Sequence, residues 1–593
     1  MLRIGLLSAC FTLASLFASA VQVVLPQPSG DSSSNFTAQL PENYALSFLN
    51  TSPFIYDRVL SPFQFDSLSW KNAGDFRFAS TAFDPQLNRL LFVPELDTHF
   101  AASNLRILLG STREQLVLLD HSQHITKTLS GSVHYHSIVS PGFLLNCLSV
   151  HRSFSLGLTF NPRWIISSVD FRYGKVEADE NGGIADSVNI DGLSRSDFEQ
   201  LKTQATDEVR KLRQYHFSAS NFIPVFRNDS SGLRTGVVLG FDWFKWSTSY
   251  AGIGEKNLYD HFYVDSSATA DTAGFNELRY AGGLQMMKSR KGLDWMVSTG
   301  IRLHDHLKWR VLDSSAVFRY SAPFAEASLK TKVFDFSLKG NLVLSNWKND
   351  GDYSVDVLAG WRSKSSILSG LKFNVRLASL AAPLTAMYYR SNHFQWDNDF
   401  DKEKYLGIVA AALFFKEHLT VSASSTAVDK MIYYDAGARP VQYGGIAHIN
   451  SLNVHGKIHW RRWTTVFLAR TTAVDVTFLK IPEFNGLLRV SYTARYFKRA
   501  LLAEFGASLY GTSKYKGYAY MPATSAFYVQ NQQDCGGWPV LDLFVNAGIG
   551  RATLSLSYQR FNSIFMNGDY FIAAGYPGAP STIKFGVNWP LFN

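Results

Sequence analysis

The sequence predicts an all-β fold, a transmembrane antiparallel β-barrel of roughly 18–22 strands behind a mostly irregular N-terminal segment. Three observations lead to this prediction. Aromatic residues make up 14% of the 593-residue chain, while charged residues make up only 18%. From about residue 104 onward, apolar and polar residues alternate in runs of near ten. The connections between these runs are alternately short and long.

The composition excludes several classes of protein. Charged residues fall below the usual one quarter or so of a globular domain, and hydrophobic residues reach 46%, so the chain is not disordered. Beyond the N-terminus no stretch of about 18 apolar residues occurs, which excludes a helical membrane protein. The net charge of +9 comes from basic residues that scatter without a run of four, so we expect no nucleic-acid partner.

The N-terminus has the pattern of a secretory signal peptide. Residues 1–3 are a short positive region, residues 4–17 are apolar, and Ala18-Ser19-Ala20 is an A-x-A cleavage site. We therefore expect a signal peptide over residues 1–20, cleaved near Ala20. Residues 21–100 are rich in proline and alternate poorly, which predicts an irregular pre-barrel segment that could act as a plug or lid. The barrel itself is expected over residues 101–593.

The alternating runs have the length of membrane-spanning strands. A soluble β-sandwich alternates in the same way, but its strands average about 5–6 residues. A tilted strand needs about 9–11 residues to cross a bilayer. The clearest runs cover residues 334–345, 353–362, 371–377, 452–461, 552–559 and 582–591.

The connections support the same fold. Tight turns are expected at residues 416–417, 461–462, 498–499 and 550–551, and long polar connections at 430–447, 476–485, 512–536 and 564–580. Short turns on one side and long loops on the other are typical of outer-membrane barrels. Residues 177–214 are interpreted as an insert ending in a short amphipathic helix, since Leu201, Ala205, Val209 and Leu212 recur at helical spacing.

The last strand carries a further pattern. Lys584, Gly586, Trp589 and Leu591 resemble the C-terminal β-signal that barrel-assembly machinery recognises in bacterial outer-membrane proteins. The resemblance implies this machinery and the outer-membrane lipid as partners. The chain departs from the pattern in two ways: Pro590 removes a ladder donor, and the chain continues to Asn593.

Several short motifs, in order, resemble the large putative porin family of Bacteroidota outer membranes. The resemblance covers most of the mature chain and implies an outer-membrane barrel with a diffusion pore. It supplies no catalytic residues. The motifs are Leu108-Leu109-Gly110 followed by Glu114-Gln115, Glu180-Asn181-Gly182-Gly183-Ile184, Gln214-Tyr215-His216-Phe217, Ile481-Pro482-Glu483-Phe484, Phe497-Lys498-Arg499-Ala500-Leu501, Phe527-Tyr528-Val529-Gln530-Asn531, Gly537-Trp538-Pro539, Tyr570-Phe571, Tyr576-Pro577 and Phe585-Gly586-Val587-Asn588-Trp589.

Basic residues on the polar faces are candidates for the pore lining. Rings of lysine and arginine favour anions, so a weak anion preference is a hypothesis. The alternative is that these charges lie at the rims or pair with Asp335, Asp356 and Glu504. The pore-lining candidates are Lys372, Arg376, His455, Lys457, His459 and Arg461.

The sequence contains few patterns that indicate catalytic or metal chemistry. The nucleophile-elbow, P-loop and HExxH motifs are absent from the sequence. His304 and His306 share a parity with Arg302, Lys308 and Arg310 and could bind a metal, but a turn around Asp305 explains the pattern better. Cys147 and Cys535 are interpreted as isolated residues, with a disulfide as the alternative. We expect no catalytic, cofactor or metal site.

The function expected from the sequence is passive diffusion of small hydrophilic solutes through an outer-membrane pore. The alternative is a barrel that serves as structural or assembly partner of a secretion or surface-attachment system. Energised uptake usually requires a large folded plug, for which residues 21–100 look too small. An enzyme would need a converging Ser–His pair, which no local motif indicates.

Overall fold

The computed structural model describes residues 101–110, 113–185, 190, 193–253, 258–290, 292–311, 314–365, 367–566 and 570–591. The predicted signal peptide and the pre-barrel segment, residues 1–20 and 21–100, lie outside this range. No described helix is long and apolar enough to cross a membrane.

The chain forms a closed antiparallel barrel of 22 strands, and the short segment Leu344–Ser345 continues the eleventh strand against the tenth. Each strand pairs with its sequence neighbours, and β1 also pairs with β22, which closes the barrel. The strands are β1 (Ala102–Gly110), β2 (Gln115–His124), β3 (Leu129–Ser140), β4 (Ser149–Phe160), β5 (Ile166–Asp179), β6 (Val209–Asn228), β7 (Leu233–Gly252), β8 (Thr269–Arg290), β9 (Leu293–Val311), β10 (Ser314–Thr331), β11 (Phe334–Leu342), β12 (Tyr353–Arg362), β13 (Leu368–Leu380), β14 (Glu403–Phe414), β15 (Leu419–Asp429), β16 (Ile446–Trp460), β17 (Trp463–Val474), β18 (Phe484–Tyr496), β19 (Leu501–Thr512), β20 (Val540–Ile549), β21 (Ala552–Gln559) and β22 (Thr582–Pro590).

The connections differ at the two ends of the barrel. At the end that we call the short-turn end, two to five residues join each pair of strands. At the opposite, long-loop end, the longest connections are residues 180–208, 253–268, 381–402, 430–445, 513–539 and 560–581. The strand count and the predicted alternation of connections are therefore confirmed, and the long-loop end is the one that outer-membrane barrels turn outward.

The long loops contain short elements of their own. The α-helical turns are Arg195–Phe198 and Leu384–Met387, and Phe561–Ile564 is a 3-10 turn. Small two-stranded ribbons pair Tyr388–Arg390 with Gln395–Asp397, Ile432–Tyr434 with Pro440–Gln442, Tyr515–Lys516 with Asp534–Cys535, Ala519–Met521 with Ala526–Tyr528, and Phe571–Ala573 with Tyr576–Pro577.

The predicted helix in the insert is wrong. Among the described residues of the insert, Arg195–Phe198 alone is helical, and Val209 and Leu212 belong to strand β6. Leu212 faces the barrel interior and is 1% exposed. The residues at helical spacing are therefore divided between a loop and a strand. Residues 209–222 of β6 pair with all of β5, which supplies more backbone hydrogen bonds than a short helix.

Alternation places apolar side chains outside and polar side chains inside. On β22, Ile583, Phe585 and Trp589 are between 43% and 48% exposed on the outer surface. Lys584 and Asn588, at the intervening positions, are buried inside. This is the arrangement of a barrel whose outer face contacts lipid.

An ion pair fixes the seam where the barrel closes. Lys584 on β22 pairs with Glu114, which directly precedes β2, and the lysine side chain is fully buried. Next to it, Gly110 lies opposite Lys584 in the register of β1 with β22. The pair therefore holds the last strand to the first hairpin at the long-loop end.

We predict that Lys584→Met destabilises the barrel by about 3–5 kcal/mol, because it leaves a buried carboxylate without its counter-charge. Urea unfolding of protein refolded in lipid vesicles measures the effect. The double variant Glu114→Gln, Lys584→Met should recover much of the loss. A single variant as stable as the natural chain would contradict the role of this pair.

Candidate functional site

The inner wall of the barrel carries a row of charges of alternating sign. Glu326, Lys339, Asp356 and Arg376 lie directly opposite one another across β10, β11, β12 and β13. Arg376 Nη1 is 3.6 Å from Asp356 Oδ2. Opposite charges in adjacent register positions attract each other, so the row is locally neutral.

A second charged group lies beside this row on β8 and β9. Glu277 accepts hydrogen bonds from His304 Nδ1 at 2.5 Å and from Arg279 Nη2 at 2.9 Å. The His304 ring stacks on Tyr320 with 4.1 Å between centroids. Arg302 Nη1 donates to Asn341 Oδ1 at 2.8 Å. The wall is thus a hydrogen-bonded network of ionisable side chains.

The expected turn around Asp305 is wrong, because β9 runs through this position as a strand. The single face predicted for Arg302 to Arg310 is also interrupted. The pairing register shifts between Asn276 and Leu278 on β8, so the parity of β9 changes beyond His304. The side chain of His306 lies outside the described part of the structure. Among the described residues, no three His, Cys, Asp or Glu side chains are grouped to hold a metal.

The structure divides the predicted pore-lining residues into two groups. Lys372 and Arg376 lie on the inner face of β13, where Leu371, Phe373 and Leu377 face outward. The other four lie three strands away on β16 and the turn after it, at the short-turn end.

The second group lies close to the rim. His455 and Lys457 have the inward parity of buried Ser451 on β16. His459 Nδ1 is 2.9 Å from Thr464 Oγ1. Arg461 is in the turn, with its guanidinium carbon 5.3 Å from the Trp460 ring centroid. Whether these side chains line the conducting path stays a prediction.

The residues of the β-signal pattern have distinct positions on β22. Lys584 is buried in the seam, Gly586 lies opposite Leu108 on β1, and Trp589 is 48% exposed on the outer surface. The Leu591 N–H donates to the Ser103 carbonyl at 2.8 Å just beyond the strand. Recognition by assembly machinery stays a prediction.

The long loops fold inward and pack against one another and the inner wall. We call the described residues within 180–208, 253–268, 381–402, 513–539 and 560–581 the loop cap. Leu384 of this cap packs in one cluster with Trp246 and Tyr320 of the wall. Asn392 N–H donates to Asp271 Oδ1 on β8 at 2.9 Å. The cap therefore covers the lumen at the long-loop end.

Arg210 on β6 is the centre of the loop cap. Its Nε donates to Glu180 Oε1 at 3.1 Å, and its Nη1 donates to Thr248 Oγ1 at 3.2 Å. Its Nη2 donates to the carbonyls of Pro522 and Ala523, the latter at 3.3 Å. One buried guanidinium thus ties β6 to the loop between β19 and β20, on the far side of the barrel.

Two carboxylates and two tyrosines surround this arginine. Tyr520 Oη donates to Glu180 Oε1 at 2.8 Å, and Tyr259 Oη donates to Glu208 Oε2 at 2.9 Å. Burial raises the pKa of Glu180 to about 7, although Arg210 and Tyr520 act in the opposite direction. Burial also raises the pKa of Tyr520. The carboxyl group of Glu180 therefore titrates near neutral pH.

Loop aromatics contribute to the same cap rather than to an open surface. Tyr520 and Phe527 rings are 5.6 Å apart, and Tyr518 Oη donates to the Phe478 carbonyl at 2.9 Å. Cys147 and Cys535 are free thiols that share one apolar cluster. Burial raises their pKa values, to about 11 and about 12, so both are unreactive at neutral pH.

Sequence patterns do not mark Arg210 or Glu180 as functional residues. Arg210 is 312 positions from Pro522 along the chain, so no local motif marks this contact. The sequence gives one indication: Arg210 alternates in step with the apolar Leu212, so both lie on the inward face of β6, whereas Lys211 lies on the outward face.

Comparison with known proteins supports the architecture. The family described as Putative porin matches residues 96–593. No curated protein matches the chain. Among solved structures, the siderophore receptor PirA from Acinetobacter baumannii is similar at 11% identity and a TM-score of 0.57, covering 84% of this chain and 81% of that one.

A second solved structure is equally similar. The ferric enterobactin receptor PfeA from Pseudomonas aeruginosa has 10% identity and a TM-score of 0.58, covering 83% of this chain and 81% of that one. At such low sequence identity, the similarity to these two structures establishes the barrel fold and no function.

We predict that Arg210→Met loosens the cap, because it removes the buried counter-charge of Glu180 and two loop contacts. The cost should be about 3 kcal/mol. Amide hydrogen exchange measures this loosening, and residues 513–539 should exchange faster in the variant than in the natural chain. Arg213→Met, on the outer face of the same strand, is the control and should leave exchange unchanged. Equal exchange in both variants would contradict the central role of Arg210.

Proposed function

The chain belongs to the putative porin family, and from this premise we propose that it is an outer-membrane channel for passive diffusion of small hydrophilic solutes. The observation that carries the proposal is the inner wall, which presents rows of charged and polar side chains inside a closed 22-strand barrel. Such a wall offers solutes a path that does not strip their hydration. The lipid of the outer membrane surrounds the apolar outer face.

The loop cap sets the size of the opening in this proposal. Its loops are held by buried contacts such as Arg210 with Glu180, so passage depends on how far they separate. Selectivity then follows from the cap and from the wall charges below it.

We further propose that the chain reaches the membrane by export, with cleavage near Ala20, and that barrel-assembly machinery reads its last strand. The family resemblance supports a Bacteroidota origin. We propose no enzymatic activity, cofactor or catalytic residue.

Single-channel recording in planar bilayers tests the proposal. Folded full-length protein should give long-lived stepwise conductance. Protein lacking residues 21–100 is the comparison: conductance only after this truncation would indicate a plugged barrel. Silence of both forms, from protein shown to be folded, would contradict a diffusion channel.

The same recordings under a salt gradient test the anion hypothesis. Pairing of Arg376 with Asp356 reduces the net positive charge of the wall, so we expect at most a weak preference for anions. Asp356→Asn should shift the reversal potential further toward anions, because it leaves the arginine charge uncompensated. A cation-selective channel would contradict the hypothesis.

We predict that conductance falls as pH is lowered from 8 to 6. Closure of the cap holds the pKa of Glu180 at about 7, above its ordinary 4.5, so the protonated group favours the closed cap. Protonation of Glu180 stabilises the closed cap fully when the pH is below 4.5, the ordinary pKa of the group, and this stabilisation is lost as the pH rises through about 7. The closed-to-open ratio should change about tenfold over this interval. Glu180→Gln should abolish the pH dependence of the conductance. If the pH dependence persists in this variant, another group must cause it.

A second candidate function is a structural or assembly partner of a secretion or surface-attachment system. The interlocked loop cap favours it, because a permanently covered lumen conducts nothing. Silent but folded protein that co-purifies with a stable second protein at the short turns would support this function instead.

A further inference from the structure

The outer surface of strands β6–β10 differs from that of the other strands. These strands contain 18 to 22 residues, whereas a tilted strand needs only about 9–11 to cross a bilayer. Their ends toward the long loops therefore extend beyond the hydrocarbon layer. This extension brings outward side chains to the level of lipid headgroups.

Aromatic side chains mark the edge of the membrane on this surface. Tyr173, Tyr215 and Trp243 form a row across β5, β6 and β7, with 5.0 Å and 6.2 Å between successive ring centroids. Aromatic rows of this kind sit at the interface of barrel and bilayer.

Four basic residues lie just beyond this edge, and we call them the basic band. On β6, Arg213 and Lys211 are the next two outward positions beyond Tyr215. On β7, Lys245 is the next outward position beyond Trp243. The fourth residue is Lys308 on β9. All four are exposed.

The band is continuous across the sheet. Lys245 lies directly opposite Asn276 on β8, and Asn276 lies directly opposite Lys308 on β9. Directly opposed residues of an antiparallel pair point to the same side, so Lys245 and Lys308 share the outer face two strand spacings apart.

The band has little acidic compensation. The described structure gives none of its four members an ion pair. The nearby Glu177 on β5 is engaged by Lys175, with Nζ and Oε1 2.8 Å apart. Glu177 also lies directly opposite Lys211, and Lys175 lies directly opposite Arg213. This surface therefore carries five basic side chains against one carboxylate and keeps an excess of positive charge at the headgroup level.

We propose that the basic band binds the phosphate groups of glycolipids in the outer leaflet. The charge complements an anionic headgroup, and the position beyond the aromatic row is the level at which such headgroups lie. The proposal concerns the outer wall and is independent of conduction through the lumen.

Binding of diphosphorylated lipid A tests the proposal. Folded full-length protein in nonionic detergent is titrated with this lipid and with its dephosphorylated form. The band variant carries Lys211→Gln, Arg213→Gln, Lys245→Gln and Lys308→Gln. It should bind the diphosphorylated lipid at least about tenfold more weakly and the dephosphorylated lipid unchanged.

A variant with the same change in charge is the control. Arg290→Gln, Lys330→Gln, Lys332→Gln and Lys364→Gln remove one arginine and three lysines from exposed positions at the short-turn end. This variant should retain the natural affinity. Equal losses in both variants, or none in the band variant, would overturn the proposal.

Two further measurements separate the remaining outcomes. Inorganic phosphate at matched ionic strength should not displace the lipid; displacement would point to free phosphate and overturn the assignment to lipid. If the quadruple variant does not fold, the double variant Lys245→Gln, Lys308→Gln should still weaken binding severalfold, and natural affinity there would overturn the proposal.

Discussion

Pairing of every backbone N–H and C=O group within the membrane is the constraint on which this structure depends. Lipid offers no substitute partner, so an unpaired sheet edge would cost several kcal/mol per group. Pairing of β1 with β22 removes both edges at once. The polar inner wall, the apolar outer face and the loops at one end all follow from this closure.

The wall charges show how a polar lumen remains stable. The row from Glu326 to Arg376 alternates in sign across four strands, and Glu277 is shared by His304 and Arg279. Each charge has a neighbour that compensates its loss of solvent. A wall of this kind is hydrophilic without a large net charge, which matches diffusion of varied solutes better than retention of one.

The barrel could be predicted from the sequence because its causes are local. A period of two and tight turns such as Arg461-Arg462 are visible in short windows. The irregularities could not be predicted in this way. The bulge near Asn276 depends on how β8 pairs with β9, and the contact of Arg210 with Pro522 joins distant segments. The helical spacing around Leu212 predicted a helix where the structure has a strand. The conformation of this segment is determined by pairing with β5 rather than by its own sequence.

Closure of the seam also has a consequence for biogenesis. Arg106 Nε donates to Asn588 Oδ1 at 3.2 Å, across a sequence separation of 482 residues. The free edge of β1 therefore stays uncovered until the last strand has been synthesised and pairs with it. Until then the growing sheet exposes an edge that invites pairing with other chains. A chain that ends before residue 582 therefore lacks the strand that covers the outer edge of β1, and its barrel cannot close through this pairing.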